Sequence, residues 1–351
     1  MRLNFFSRFL KHHARALSPA IVCCGFFSLV GCALATEAIA QDRPSGNVVL
    51  VTLDGVRWQE FFGDPDPSLA PNETGRVFSR FWSAMASEGV VYGNPAANNV
   101  MTIANLAVVS LPAYQSIMAG VTTRCLNNEC GRITRGTFPE RLISELSLGS
   151  AEVATLASWT KIALAVERTE GTTSVKCGPQ AGDQPEDLMS SEARLDKLTF
   201  PEALAYLTAN RPRFLYISLN DSDDWAHRGD YAKYLGALRQ YDAWLAQLAA
   251  AIDGLEDYGP KTTLIVTTDH GRGNGAKWTD HGVKVPQARA IWLYARGPHV
   301  SPKGVLSGGP AHTHLDIRPT IELLMGLCPQ SCSRCGLPLT EVTSGIPSCS
   351  Q

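Results

Sequence analysis

Three runs of apolar and β-branched residues in this sequence end in acids, and two of the acids have a histidine close behind. Val49-Leu50-Val51-Thr52-Leu53 leads into Asp54-Gly55. Leu215-Tyr216-Ile217-Ser218-Leu219 leads into Asn220-Asp221-Ser222-Asp223-Asp224-Trp225-Ala226-His227. Leu264-Ile265-Val266-Thr267-Thr268 leads into Asp269-His270-Gly271. One such acid is ordinarily a turn or cap residue. Three carboxylates brought to one crevice would repel each other unless cations neutralised them. Asp and His in one set suit zinc better than calcium or magnesium.

A nucleophile candidate has its own local logic. Ser110-Leu111-Pro112 reads as a helix start, with Ser at the N-cap and Pro in the first turn, and Gly120 reads as the stop. A hydroxyl there would sit at the positive end of a helix, where backbone N–H groups receive phosphate. Ser110 by itself would be read as a cap. Beside a bound metal, its hydroxyl could be activated as an alkoxide.

The elements that must position these residues follow from periodicity. Runs at 47–53, 153–157, 214–219, 262–267 and 290–294 are apolar throughout, as strands covered on both faces are. Helical spacing appears over 138–146, 317–324 and most clearly 231–255. There Tyr234, Leu235, Leu238, Tyr241, Leu245, Leu248 and Ile252 recur at steps of three and four. Alternating strands and helices predict an α/β fold with a mostly parallel central sheet flanked by helices on both faces. Ligands in such sheets bind beyond the carboxyl ends of the strands.

In this order, Val-Thr-Leu-Asp-Gly at Asp54, Ser-Leu-Pro-x-Tyr at Ser110, Asp-Asp-Trp-Ala-His at Asp223 and His227, and Thr-Thr-Asp-His-Gly at Asp269 and His270 resemble the alkaline phosphatase superfamily. The likeness runs from about Val48 to Gly297 and is closest to the nucleotide pyrophosphatase/phosphodiesterase and related phosphatase branches. It implies two divalent metal ions, zinc or manganese, about 4 Å apart. Asp223, His227 and a third histidine would hold one. Asp54, Asp269 and His270 would hold the other, with Ser110 bound to it as nucleophile. The third histidine is assigned to His281, in Trp278-Thr279-Asp280-His281-Gly282, with His312 and His314 as competitors. The implied reaction is hydrolysis of a small-molecule phosphoester through a phosphoseryl intermediate. Asn98, Asn99 or Lys161 could touch the non-bridging oxygens, and Lys161 defaults to a surface role. Sulfatases of this superfamily need an Arg two residues after the Pro for formylglycine, and Tyr114 stands there instead. Relatives that lost catalysis but kept the fold, or that cleave sulfuric or phosphonic esters, are the alternatives.

The chain has 351 residues, and 44% of them are hydrophobic, enough for a substantial core and too much for disorder. Its formal charge of −2 gives no electrostatic case for binding a nucleic acid polymer. The first forty residues read as a signal peptide, with Arg2, Arg8, Lys11 and Arg15, an apolar run, and Ala38-Ile39-Ala40 before Gln41. Leu29-Val30-Gly31-Cys32 resembles a lipobox, so membrane attachment is expected only if Cys32 carries a lipid. Either route implies export, to the periplasm or beyond. Without residues 1–40 the chain has 27 basic and 32 acidic residues, a net charge of −5.

Seven cysteines remain after that cleavage: Cys125, Cys130, Cys177, Cys328, Cys332, Cys335 and Cys349. In an oxidising compartment they read as disulfides with one left over, and Cys125 and Cys130 could close a small loop. A metal knuckle at Cys328, Cys332 and Cys335 is the weaker alternative. Residues 41–351 are expected to form a single metallohydrolase domain. Inserted segments at 121–137 and 165–200 would form a small cap, and 328–351 a Cys-rich tail. A G-x-S-x-G elbow is absent, and Gly271-Arg272-Gly273-Asn274-Gly275 lacks the dinucleotide spacing.

Overall fold

The computed structural model describes residues 45–347 and Cys349. The leader at 1–40, with Cys32 and Gln41, lies outside the described residues. The strands are β1 Asn47–Leu53, β2 Val90–Tyr92, β3 Met101–Thr102, β4 Val153–Ala157, β5 Ser174–Cys177, β6 Phe214–Leu219, β7 Thr262–Thr267, β8 Leu293–Arg296, β9 Gly304–Val305 and β10 His312–Thr313. The helices are α1 Trp58–Phe62, α2 Ser110–Ala119, α3 Phe138–Leu146, α4 Ala163–Val166, α5 Asp196–Asn210, α6 Asp221–His227, α7 Tyr231–Asp253 and α8 Ile317–Leu324.

Eight strands make the main sheet, in the order β5-β4-β6-β1-β7-β8-β2-β9. From β5 to β7 all neighbours run parallel, while β8 is antiparallel to both β7 and β2. The β3–β10 pair stands apart. The fold is α/β with a mostly parallel sheet, as the periodicity predicts. The described residues cluster as one compact unit.

The alternation of β1 shows why its whole run is apolar. Val49, Val51 and Leu53 pack into one core with α5 and α7, while Val48 and Leu50 pack into a second with α2, α3 and α8. Both faces are covered, so no position can be polar without a partner. The stripe of α7 faces the first core as predicted, and all seven of its named residues are buried. That helix ends at Asp253, with Gly254 as its cap, two residues short of the expected 255. The strand expected at 290–294 is shifted to β8, because Ala290 and Ile291 bond to the β3 segment instead. Within 165–200 the chain returns to the sheet as its edge strand β5 before α5 begins.

Three disulfides join Cys125 to Cys130, Cys328 to Cys349 and Cys332 to Cys335. The tail is therefore cross-linked, which removes the metal-knuckle alternative, and Cys177 is the residue left over. No helix among the described residues is long and apolar enough to cross a membrane.

Candidate metal centre

Strand register creates the site. Thr52 of β1 is level with Ser218 of β6 and Thr267 of β7, so the three strands end together at one edge of the sheet. Asp54 and Asp269 project from the turns after β1 and β7, and β6 passes into α6, which carries Asp223 and His227. Gly55 follows Asp54 at φ +65°, where a Cβ would lie 2.7 Å from Asp223 Oδ1 and 2.9 Å from Arg272 Nε. A side chain there would both strain the backbone and intrude on the carboxylate.

Asp196, at the start of α5, anchors α6. Its carboxylate accepts from the backbone N–H groups of Asn220 at 2.9 Å and Asp221 at 2.8 Å, and from Tyr241 Oη at 2.5 Å. Ser222 Oγ donates to the Asp54 carbonyl at 2.5 Å. The acid after β1 and the helix after β6 are thereby tied together.

Two groups of ligand-type atoms result: Asp54, Asp269 and His270, and Asp223, His270 and His281. His227 joins the second group, its Nε2 lying 3.0 Å from His281 Nε2 and 3.2 Å from Asp223 Oδ2. Ser110 Oγ stands 3.1 Å from His270 Nε2 and 3.5 Å from Asp54 Oδ1. All seven predicted residues are thus brought to one crevice. Of the three candidate histidines, His281 is the one that lies with this group. His312 pairs with Asp316 at 3.1 Å, and His314 is buried between Ala104 N–H and Asn105. His314 is a fully buried core residue.

The donor set fits divalent cations. His270 Nδ1 lies 2.9 Å from the Gly271 carbonyl, and His281 Nδ1 lies 2.9 Å from the Val108 carbonyl. A carbonyl only accepts, so each Nδ1 carries the proton and each Nε2 lone pair faces the crevice, as ligation requires. Asp269 Oδ2 is buried with no hydrogen-bond partner. Burial, then Asp269 and Asp223, push the Asp54 carboxyl well above the usual range. Burial and Asp223 push Asp269 to about 7. Burial lowers His270 to about 4, and burial with His270 nearby lowers His281 to about 3, so both imidazoles are neutral. Burial would raise Asp223 too, but Arg272 with His227 and His270 reverses the direction.

Arg272 was missed from the sequence. It is fully buried, hydrogen-bonds Asp223 Oδ1, and donates to the Thr279 carbonyl at 2.5 Å. Its place, three residues after Asp269, was the available signal, within a glycine-rich run weighed only for dinucleotide spacing. Tyr114 donates to Asp54 Oδ2 at 2.9 Å, which gives that residue a role in holding the acid.

Ser110 opens α2 but does not cap it; Val109 is the N-cap, and the Ser110 hydroxyl turns to the crevice instead. The nearest helix amide, Leu111 N–H, donates to Asn128 Oδ1 at 2.9 Å, so it is not free to receive an anion as expected. A cavity of about 280 Å³ opens here, and Ser110, Asn128, Lys161, Asp223 and His227 all line it. Lys161 is 15% exposed and pairs with Glu129 at 3.1 Å and Glu192 at 3.3 Å, so the surface role expected for it is corrected. Asn99 bonds the Gly93 N–H and the Gly308 carbonyl, and neither it nor Asn98 lines this cavity. Asn128 sits in the small disulfide loop, where no local pattern announces it.

A family model described as Metalloenzyme superfamily matches residues 189–289, which include Asp223, His227, Asp269, His270 and His281. No curated protein matches the chain. Among solved structures, the phosphonate monoester hydrolase of Agrobacterium radiobacter is 14% identical with a TM-score of 0.59, over 86% of this chain and 78% of that one. The lipoteichoic acid synthase LtaP from Listeria monocytogenes is 13% identical with a TM-score of 0.58, over 86% and 76%. A 2-O GAG sulfatase is 15% identical with a TM-score of 0.58, over 87% and 75%. These likenesses are likenesses of fold.

Proposed function

We propose that this chain is an exported, metal-dependent phosphoester hydrolase of the alkaline phosphatase-like metalloenzyme superfamily, with Ser110 as its nucleophile. The observation that carries the reading is the position of Ser110 Oγ, within 3.5 Å of both Asp54 Oδ1 and His270 Nε2 and inside the crevice that Asp223 and His227 also line. Asp54, Asp269 and His270 would hold one cation, and Asp223, His227 and His281 the other. Zinc suits the donors best, with manganese as the substitute. When bound, the pair would lower the pKa of the serine hydroxyl and offset the charge of an anionic ester.

The chain's own residues supply the rest. Ser110 Oγ attacks phosphorus in line, the Oγ–P bond forms as the ester's P–O bond breaks, and the alcohol leaves. Water then cleaves the phosphoserine and restores Ser110. The Lys161 ammonium and the Asn128 side-chain amide are the donors placed to hold non-bridging oxygens. Arg272 and Tyr114 keep Asp223 and Asp54 in position. The substrate is a small molecule, since the crevice of about 280 Å³ lies at the low end of ligand pockets. Three disulfides support export to an oxidising compartment.

The fold relatives include sulfatases and a phosphonate hydrolase, so the ester class is what needs testing. Rates on p-nitrophenyl phosphate, bis-p-nitrophenyl phosphate, p-nitrophenyl sulfate and p-nitrophenyl phenylphosphonate, with Zn or Mn added, decide it. A phosphate ester is expected to be turned over fastest. A faster sulfate or phosphonate ester would overturn the phosphoric assignment, and purified protein with far less than one metal per chain would overturn the enzyme.

A further inference from the structure

A cavity of about 740 Å³ lies apart from the crevice and shares no lining residue with it. It lies between α3, α8 and the disulfide-linked tail, and four arginines line it: Arg135, Arg141, Arg168 and Arg318. We propose that it is a second ligand site, which takes a polyol-sized molecule bearing sulfate or phosphate groups.

Two of the arginines build the wall. Arg318 donates from Nε to Glu322 at 2.9 Å and from Nη1 to the Ala119 carbonyl at 2.6 Å. Arg141 grips Glu145 with Nε at 2.6 Å and Nη2 at 2.9 Å, and its Nη1 lies 3.0 Å from Glu322. The third acid, Glu140, accepts from the backbone N–H groups of Thr137 at 3.2 Å and Thr169 at 2.9 Å. Every carboxylate of the cavity is therefore committed to a partner.

Arg135 and Arg168 are not. Both are exposed, and among the described residues neither guanidinium has a hydrogen-bond or ion-pair partner. Their planar forks match the oxygens of a sulfate or phosphate bidentately. Ser144, Thr172 and Ser331 add hydroxyls along the lining, and the volume exceeds what a bare anion needs. The wall is also fixed in advance, because Cys332 and Cys335 line the cavity and are bonded to each other. A wall held before binding loses less freedom on binding.

The test is calorimetry on the mature, metal-loaded protein with myo-inositol hexasulfate at fixed ionic strength. Wild type is expected to bind one equivalent, and Ser110→Ala to bind it equally well. Arg135→Ser/Arg168→Ser should weaken binding about tenfold for each guanidinium removed while ester hydrolysis stays unchanged. Arg135→Lys/Arg168→Lys should fall between, since it keeps charge but loses the fork. No binding to wild type, an unchanged Kd in Arg135→Ser/Arg168→Ser, or Arg135→Lys/Arg168→Lys as tight as wild type would each overturn the site.

Discussion

The two halves of the candidate metal centre are built differently. Asp54, Asp269 and His270 come from the turns after two adjacent strands, and all three are essentially without solvent exposure. Asp223, His227 and His281 come from a helix and a loop, and the His227 side chain is 48% exposed. No arginine or lysine pairs directly with the inner carboxyls, and burial leaves them raised although Arg272 pulls Asp54 the other way. The outer half has Arg272, which holds Asp223 in its charged form. The difference teaches that the inner group needs an external cation to be comfortable, whereas the outer group is already half compensated.

The comparison can be broken most severely at the residue between the halves. Ser110→Ala should lower kcat at least about a thousandfold on any ester that wild type hydrolyses, with metal content unchanged. A rate near wild type would mean that the crevice works without the nucleophile assigned to it. Next comes the contrast itself. Asp269→Ala should empty the inner half and lower Tm, because losing the cation leaves the Asp54 carboxylate buried and uncompensated. His227→Ala should weaken only the outer half, by more than the roughly 10–100-fold that loss of a residue behind the ligands costs. Metal analysis and a chelator titration read both. Equal losses in the two variants would erase the distinction between halves.

How much of this was legible in the sequence follows the same division. The inner half was readable because strands advertise themselves: β1 and β7 are apolar throughout, their ends are marked by Asp54 and Asp269, and register alone makes those ends coincide. Asp223 and His227 were readable because they are four apart on one helix, and so share a face. The choice of His281 over His314 needed tertiary contacts, since only the structure shows Asn105 taking the His314 ring. Asn128 lies in a disulfide loop and Lys161 in a short 3-10 turn, both returning to the crevice from distant parts of the chain, and no period carries that information. Capture of the Leu111 helix amide by Asn128 also undid the expectation of an open helix end.

Arg272 sharpens the contrast from the outer side. Replacing it with Gln removes the charge beside Asp223 while keeping a donor. Affinity of the outer half should fall about 10–100-fold and the inner half should keep its metal. If both halves lose metal together, Arg272 supports the whole turn after β7 and is not specific to Asp223.

Lys161 gives the smallest expected effect. It lies at the mouth, on the side of the outer half, with its ammonium shared between Glu129 and Glu192. Lys161→Met should reduce kcat/KM about tenfold, in line with the loss of one hydrogen bond to a charged group. Two causes could produce that loss. The lysine could bind the ester directly, or it could merely screen two glutamates that would otherwise repel an anion. Lys161→Met/Glu129→Gln separates them by removing part of the repulsion without restoring the donor. If Lys161 binds the ester, the double variant stays as slow as the single one. If screening is its whole role, the double variant recovers most of the rate, and salt speeds the single variant while leaving wild type nearly unaffected.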